Sequence, residues 1–427
     1  MNILMMTNTF TPHVGGVARS IEAFSEYYRK RGHRVLVVAP VFENQPENER
    51  DVIRITAIQH FNGSDFSVVL PIPHFLASEI EDFGPDIVHS HHPFLLGATA
   101  LRVAHIFQKP LVFTHHTMYE QYTHYVPGDS ETLKDFVADL ATRYANLCDH
   151  VIAPSESIAE ILYRRGVAAP VAVVPTGVQP ERFAQGDGPG FRQEMGITGD
   201  SYVVGHVGRL APEKNLEYLA EAVAAFLLSE PKGHFLVAGT GPSERAVRKI
   251  FSHYGFADRL HFAGVLDRTQ LAGCYRAMNV FAFASKSETQ GMVLTEAMAA
   301  GVPVVALDAP GAREVVSDDH NGRLLESKAT EAEFQATLAG LAKLNDTDRR
   351  RLVRGALETA DEFSMTRCAD TALALYQDLC KGEFVSRRDE YKSWAETRRL
   401  IAAEWQLLKG AANAAGTALH LNEWGSN

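Results

Sequence analysis

Short apolar runs alternate with amphipathic stretches along most of this chain, and the alternation is played through twice. A first series falls at residues 2–8, 34–39, 52–57, 86–89, 110–114, 150–153 and 171–174, and a second at 202–207, 234–238, 260–263, 280–284, 302–307 and 322–325. The runs are rich in Val, Ile and Phe and lack a polar residue at every second position, so they read as strands buried on both faces. Strands separated by helical stretches imply parallel sheets covered by helices on each side. Residues 177–199, rich in Gly, Pro, Gln and Asp, lie between the two series and read as a linker and hinge. The predicted architecture is α/β, with two doubly wound domains facing across a cleft at residues 1–180 and 200–362. Residues 363–427 are expected to be helices that cross back to the first domain, with a loose tail. A chain of 427 residues is long enough for two such cores.

Composition narrows the function. A net charge of -11 argues against a nucleic-acid partner, which would need a broad positive surface. Cys148, Cys274, Cys368 and Cys380 are widely spaced, so they suggest neither a disulfide framework nor a zinc site and fit a reducing cytoplasm. The N-terminus runs directly into a strand pattern without the basic region of a signal peptide. No apolar run reaches the length of a bilayer span, which leaves peripheral contact as the expected form of any membrane association.

Three stretches carry chemistry. After the run at 280–284, Glu288 lies in a polar loop, Gly291 opens a helix over 292–300, and Glu296 follows on that helix before Gly301 and Pro303 end it. The first turn of that helix offers unpaired N–H groups and a positive dipole end, which suit a phosphate. At the end of the run at 202–207, Gly208-Arg209 and Glu213-Lys214-Asn215 place two cations where they can neutralise a diphosphate, although cations at such positions are also commonly solvated surface. Gly15 and Gly16 follow the first strand. They do not match the dinucleotide fingerprint, and Gly205 to Arg209 is not a Walker loop, so for each glycine pair close approach to a pyrophosphate and a tight structural turn both fit. Histidines cluster at His89, His91 and His92 and again at His115 and His116, the latter leading into Tyr119, Glu120, Tyr122, His124 and Tyr125. Neither cluster has the spacing of a metal-binding helix. Polar and aromatic recognition of a hydroxylated substrate is the favoured reading, and no metal ligand is assigned.

Taken together, Gly15-Gly16-Val17, Gly208-Arg209, Glu213-Lys214-Asn215 and the pair Glu288 and Glu296 separated by seven residues resemble the retaining glycosyltransferases of GT-B fold, from Met1 to about Cys380. The resemblance implies two Rossmann-like domains and a nucleotide-sugar donor, with a UDP-sugar as co-substrate, no tightly bound cofactor and no required divalent metal. It implies that Arg209 and Lys214 hold the donor diphosphate, with Gly208 beside them, and that the first loop at Gly15 and Gly16 touches the phosphate. Glu296 would accept hydrogen bonds from the ribose, Glu288 and the backbone of Gly291, Met292 and Val293 would contact the transferred sugar, and His116 would bind near its 6-hydroxyl. The segment from His116 to Tyr125 is similar to that of bacterial diacylglycerol α-glucosyltransferases, which makes Tyr119, Glu120, Tyr122, His124 and Tyr125 acceptor-side expectations. A lipid hydroxyl is thus the expected acceptor, against a soluble or polyprenol-linked glycan, with a non-catalytic nucleotide-sugar binder as the remaining alternative. Tyr391, Trp394, Ile401, Trp405 and Leu408 form an apolar stripe beyond the resemblance, read as packing on the body or as a membrane or subunit contact.

Overall fold

A computed structural model describes residues 1–13, 15–58, 68–69, 75–121 and 130–382. The expectations placed on Tyr122, His124, Tyr125 and the stripe beyond residue 382 lie outside them. In chain order the elements are β1 (Asn2–Met6), α1 (Gly16–Lys30), β2 (Arg34–Pro40), β3 (Val52–Ile55), β4 (Ala57–Ile58), β5 (Val68–Val69), α2 (Phe75–Phe83), β6 (Ile87–Ser90), α3 (Leu96–Phe107), β7 (Leu111–Thr114), α4 (Glu131–Asn146), β8 (His150–Ala153), α5 (Glu156–Arg164) and β9 (Val171–Val173). They continue with α6 (Pro180–Ala184), α7 (Gly188–Glu194), β10 (Tyr202–Val207), α8 (Leu216–Leu227), β11 (Gly233–Ala238), α9 (Glu244–His253), β12 (Leu260–Gly264), α10 (Arg268–Arg276), β13 (Val280–Phe283), α11 (Met292–Ala299), β14 (Val304–Leu307), β15 (Gly322–Leu325), α12 (Glu331–Ala342), α13 (Asp346–Glu362) and α14 (Met365–Lys381).

Two compact units result. The N-terminal unit comprises Met1–Ala153, Ile161–Ala172 and the chain from Ala374, and the C-terminal unit comprises Pro154–Glu160 and Val173–Leu373. The first carries a seven-stranded sheet of order β3-β2-β1-β6-β7-β8-β9, and the second a six-stranded sheet of order β12-β11-β10-β13-β14-β15. In each, the first strand sits between its second and fourth partners, so the loops leaving β1 and β6, or β10 and β13, turn to opposite faces. Such a switch point leaves a crevice at the carboxyl ends of the strands, which is where open α/β sheets bind ligands.

The continuous apolar runs have the predicted cause. On the C-terminal sheet Val203, Leu236, Phe281, Phe283 and Val304 face one core, while Val204, Phe235, Val280, Ala282 and Val305 face the other. Residues 177–199 lie within the C-terminal unit and are not the irregular stretch that their composition suggested. They form α6 and α7, and the glycines that suggested a flexible connection instead permit close packing: a Cβ at Gly186 would stand 2.3 Å from the Ala272 carbonyl oxygen of α10, and one at Gly188 2.4 Å from that of Arg276. Between α12 and α13 the chain breaks at Asn345, whose side chain accepts a hydrogen bond from the Asp348 N–H and starts α13. The chain's last described helix, α14, contributes its residues from Ala374 to the N-terminal unit, where Tyr376 is buried and meets Tyr28 edge-on.

Histidines interrupt the apolar interior. Burial pushes His89 and His92 down to about 3 and His115 and His206 down to about 4, and it holds His91 and His116 well below the ordinary 6.5. Below pH 6.5 the unfolded chain therefore takes up protons that the folded chain refuses. The associated stability is fully present above about pH 6.5 and is lost as pH falls toward the folded values, by up to about 1.4 kcal/mol per histidine per pH unit. Thermal melts should show a midpoint that is level near pH 7.5 and drops steadily from pH 6.5 to 5, before carboxylates titrate; a midpoint that stays level over that interval refutes this account.

Candidate functional site

The C-terminal unit assembles its candidate site from loops that leave β10 and β13. The loop after β10 also lies tightly against the one after β11, backbone on backbone. Gly239, just past β11, has φ of +123°, and a Cβ there would stand 1.9 Å from the carbonyl oxygen of Gly208, so any side chain would displace the segment carrying Arg209. Arg209 donates from Nη2 to Glu213 Oε1 at 2.7 Å. The turn Pro212–Lys214 follows, and Asn215, at φ of 56°, starts α8 while its side-chain amide donates to the Ala284 carbonyl at 3.3 Å. The Ser285 and Ser287 hydroxyls each donate to the Glu213 carbonyl at 3.3 Å.

Across this joint the Lys214 ammonium donates to Glu288 Oε1, with only 14% and 20% of the two side chains exposed. Burial opposes the charge on Glu288, yet Lys214 and the Ser285 hydroxyl hold its carboxyl below the usual range. The structure thus brings Lys214 and Glu288 together, as their positions at neighbouring strand ends suggested. Beneath them His206 donates from Nδ1 to the Ala282 carbonyl at 3.1 Å, which the carbonyl's role as acceptor requires.

Gly291 caps α11 in the left-handed region at φ of 71°, with the Gly311 carbonyl 2.8 Å from where a Cβ would be. Met292 and Val293 open that helix, so their N–H groups lie in the turn that has no intrahelical acceptors. Glu296, one turn further, is 8% exposed and accepts from the Tyr275 hydroxyl at 2.8 Å. The loop before the helix is braced on its other side. Gln290 donates to the Thr176 carbonyl and accepts from the Thr176 N–H, both at 2.6 Å, and Ser155 donates to the Thr289 carbonyl at 2.7 Å. Glu314 accepts from Gly311 N–H at 2.8 Å and Ser157 N–H at 3.0 Å. Tyr275, Gln290, Thr176 and Glu314 were not anticipated, since no periodicity links residues so far apart in sequence.

In the N-terminal unit Gly15 and Gly16 begin α1 after β1. A Cβ at Gly15 would come within 3.1 Å of His13 Nε2, whereas one at Gly16 would meet no described atom within 4 Å, so described packing does not demand the second glycine. His91 and His116 are joined through Nδ1 and Nε2 at 3.0 Å with their rings stacked, and the His91 ring lies tilted against His89 with centroids 4.1 Å apart. His89 is held between Thr114 Oγ1 at 2.7 Å and the Tyr376 hydroxyl at 2.6 Å. His92 Nδ1 accepts from the Asn8 N–H at 3.1 Å. Their lowered pKa values leave these rings neutral at pH 7, each with one donor and one acceptor nitrogen. Among the described residues no group of three ligating side chains is placed to hold a metal ion. Glu120 is bound by Arg165 at 2.7 Å, and Tyr119 lays its ring edge-on to Phe94 and His115 with its hydroxyl buried.

Known proteins resemble this chain in sequence and fold. A family model described as Glycosyltransferase Family 4 matches residues 14–182, and one described as Glycosyl transferases group 1 matches residues 189–358. The alpha-monoglucosyldiacylglycerol synthase of Streptococcus pneumoniae is 28% identical over 91% of this chain and 90% of its own length. The D-inositol 3-phosphate glycosyltransferase of Stackebrandtia nassauensis is 31% identical over 71% of this chain and 70% of its own. Among solved structures, that of Anabaena Alr3699/HepE in complex with UDP superposes with a TM-score of 0.71 at 21% identity, covering 88% of this chain and all of that one. The two family models meet head to tail along the chain, one over each sheet: it belongs to the glycosyltransferases of GT-B fold and resembles the bacterial diacylglycerol glucosyltransferases.

Proposed function

We propose that this glycosyltransferase moves a hexose, glucose in the first instance, from a UDP-sugar to the hydroxyl of a diacylglycerol-type lipid, with retention of the anomeric configuration. The observation that carries the donor half is the joint at β10 and β13, where Arg209, Lys214 and the first turn of α11 present positive charge on one set of loops. Loss of UDP from the anomeric carbon concentrates negative charge on the leaving phosphate. Fixed cations and helix-terminal N–H groups stabilise that charge without reorganising, so the reaction needs no divalent metal in this reading. Glu296, already oriented by Tyr275, accepts from the ribose hydroxyls. Glu288 and the backbone of Gly291, Met292 and Val293 contact the sugar, and the acceptor hydroxyl attacks from the face that UDP leaves. Gly15 and Gly16 let the first loop approach the phosphate, and His116, kept neutral and held by His91, binds near the 6-hydroxyl.

The lipid acceptor is supported by the name of the streptococcal relative. No helix among the described residues is long and apolar enough to cross a membrane, so the lipid would be met by peripheral contact from the cytoplasmic side. The name of the Stackebrandtia relative supports a second reading, a soluble polar acceptor on the same donor chemistry.

Substituting Lys214→Ala removes a phosphate cation and strands the buried Glu288 carboxylate, so kcat should fall by about 10²- to 10³-fold. Unchanged transfer would remove Lys214 from the mechanism. Thermal shift against UDP-glucose, UDP-galactose, UDP-glucuronate and GDP-mannose should give its largest stabilisation with UDP-glucose. With labelled UDP-glucose and vesicles containing diacylglycerol, label should enter the lipid phase as an α-glucoside; label confined to a soluble inositol phosphate or glycan acceptor would establish the second reading.

A further inference from the structure

We propose that Glu213 is a positioning residue that holds Arg209 in the site and, through its charge, weakens the grip on the nucleoside diphosphate. This rests on reading Arg209 as a diphosphate ligand.

An ion pair four residues apart is usually a surface feature worth little. This one is built differently. The Glu213 side chain is 10% exposed, against 40% for Arg209, so the carboxylate is the fixed member and the guanidinium the one that reaches outward. The fixing comes from the backbone: the Glu213 carbonyl receives both the Ser285 and Ser287 hydroxyls, which belong to the loop carrying Glu288. Of its carboxylate oxygens, Oε1 takes Arg209 Nη2 at 2.7 Å, and Oε2 is buried with no hydrogen-bond partner. A buried carboxylate oxygen without a donor is unfavourable, and an apolar residue could fill the space without that cost. What an apolar residue could not do is orient a guanidinium or oppose its charge.

The charge balance of the loops gives the consequence. Arg209 and Lys214 are each matched by a carboxylate, Glu213 and Glu288. Glu288 has a ligand to contact in the proposed mechanism, but Glu213 has none. Its negative charge, one residue's reach behind Arg209, therefore opposes the diphosphate in both substrate and product, and it lowers the affinity for UDP that would otherwise slow release after transfer. Removing the charge while keeping an acceptor oxygen for Arg209 should tighten UDP binding by about fivefold to tenfold, the scale of a screened charge contact at a partly exposed site.

Calorimetric titration of UDP into the full chain tests this with four proteins: wild type, Glu213→Gln, Arg209→Gln and the double variant. Glu213→Gln is expected to bind UDP about fivefold to tenfold more tightly than wild type, with the UDP inhibition constant in the transfer assay falling alongside. In the Arg209→Gln background the same change should have a smaller effect, because the competition for the guanidinium is gone and only the direct repulsion of the diphosphate remains. Wild type that binds UDP, with Glu213→Gln equal to it or weaker, overturns the proposal alone, as does an equal effect in both backgrounds. Wild type that fails to bind UDP overturns the donor reading and this proposal with it. Should the glutamine variant fail to fold, Glu213→Asn takes its place with the same expected direction.

Discussion

The ion pair between Lys214 and Glu288 is the contact on which the C-terminal site depends. It ties the loop after β10 to the loop after β13, alongside the bonds that Ser285, Ser287 and Asn215 make across the same joint. A partly desolvated pair is costly to bury and is retained only where geometry and further hydrogen bonds offset that cost. Here Ser285 supplies such a bond to the neighbouring backbone, and Gly239 and Gly291 let three loops approach closely enough for the side chains to meet. Removing one partner leaves the other charge buried, so the pair constrains sequence at both positions at once. Glu213 and Arg209 repeat the device one step away, which keeps the site close to electrical balance before any anion arrives.

What could be read from the sequence follows the range of the interactions involved. Strands such as 280–284 and 302–307 were legible because burial on both faces leaves no polar alternation, and the helix at Gly291 was legible because a left-handed cap and a following Pro mark its ends. The nearness of Lys214 and Glu288 was legible for a related reason: both lie in loops that leave neighbouring strands of a parallel sheet. Residues 177–199 were misread because glycine serves two opposite ends. It loosens a linker, and it also lets one helix touch another's carbonyls, as Gly186 and Gly188 do against α10. Composition alone does not separate the two uses.

The bracing groups were not legible at all. Gln290 meets Thr176 across 114 residues of sequence, and Ser155 meets Thr289 across 134. Such contacts leave no period and no spacing, only two polar residues in unremarked loops. The same holds for Tyr275 and Glu296, where a tyrosine on one helix orients a carboxylate on the next. The sequence displays the groups that would face a ligand and hides those that aim them.

The two units differ in how they present polarity, and the difference has a physical basis. The C-terminal loops use full charges in opposed pairs, which suits a ligand whose charge changes during reaction. The N-terminal strand ends use stacked histidines that burial keeps neutral. An imidazolium at His116 would be only a donor, and it would carry a charge that attracts anions. Neutral rings with one donor and one acceptor nitrogen can answer a hydroxyl in either role and exert no long-range pull. Burial of the histidines therefore sets the polarity of these strand ends, and the apolar packing around His89 and His91 contributes to it as directly as the nitrogens do.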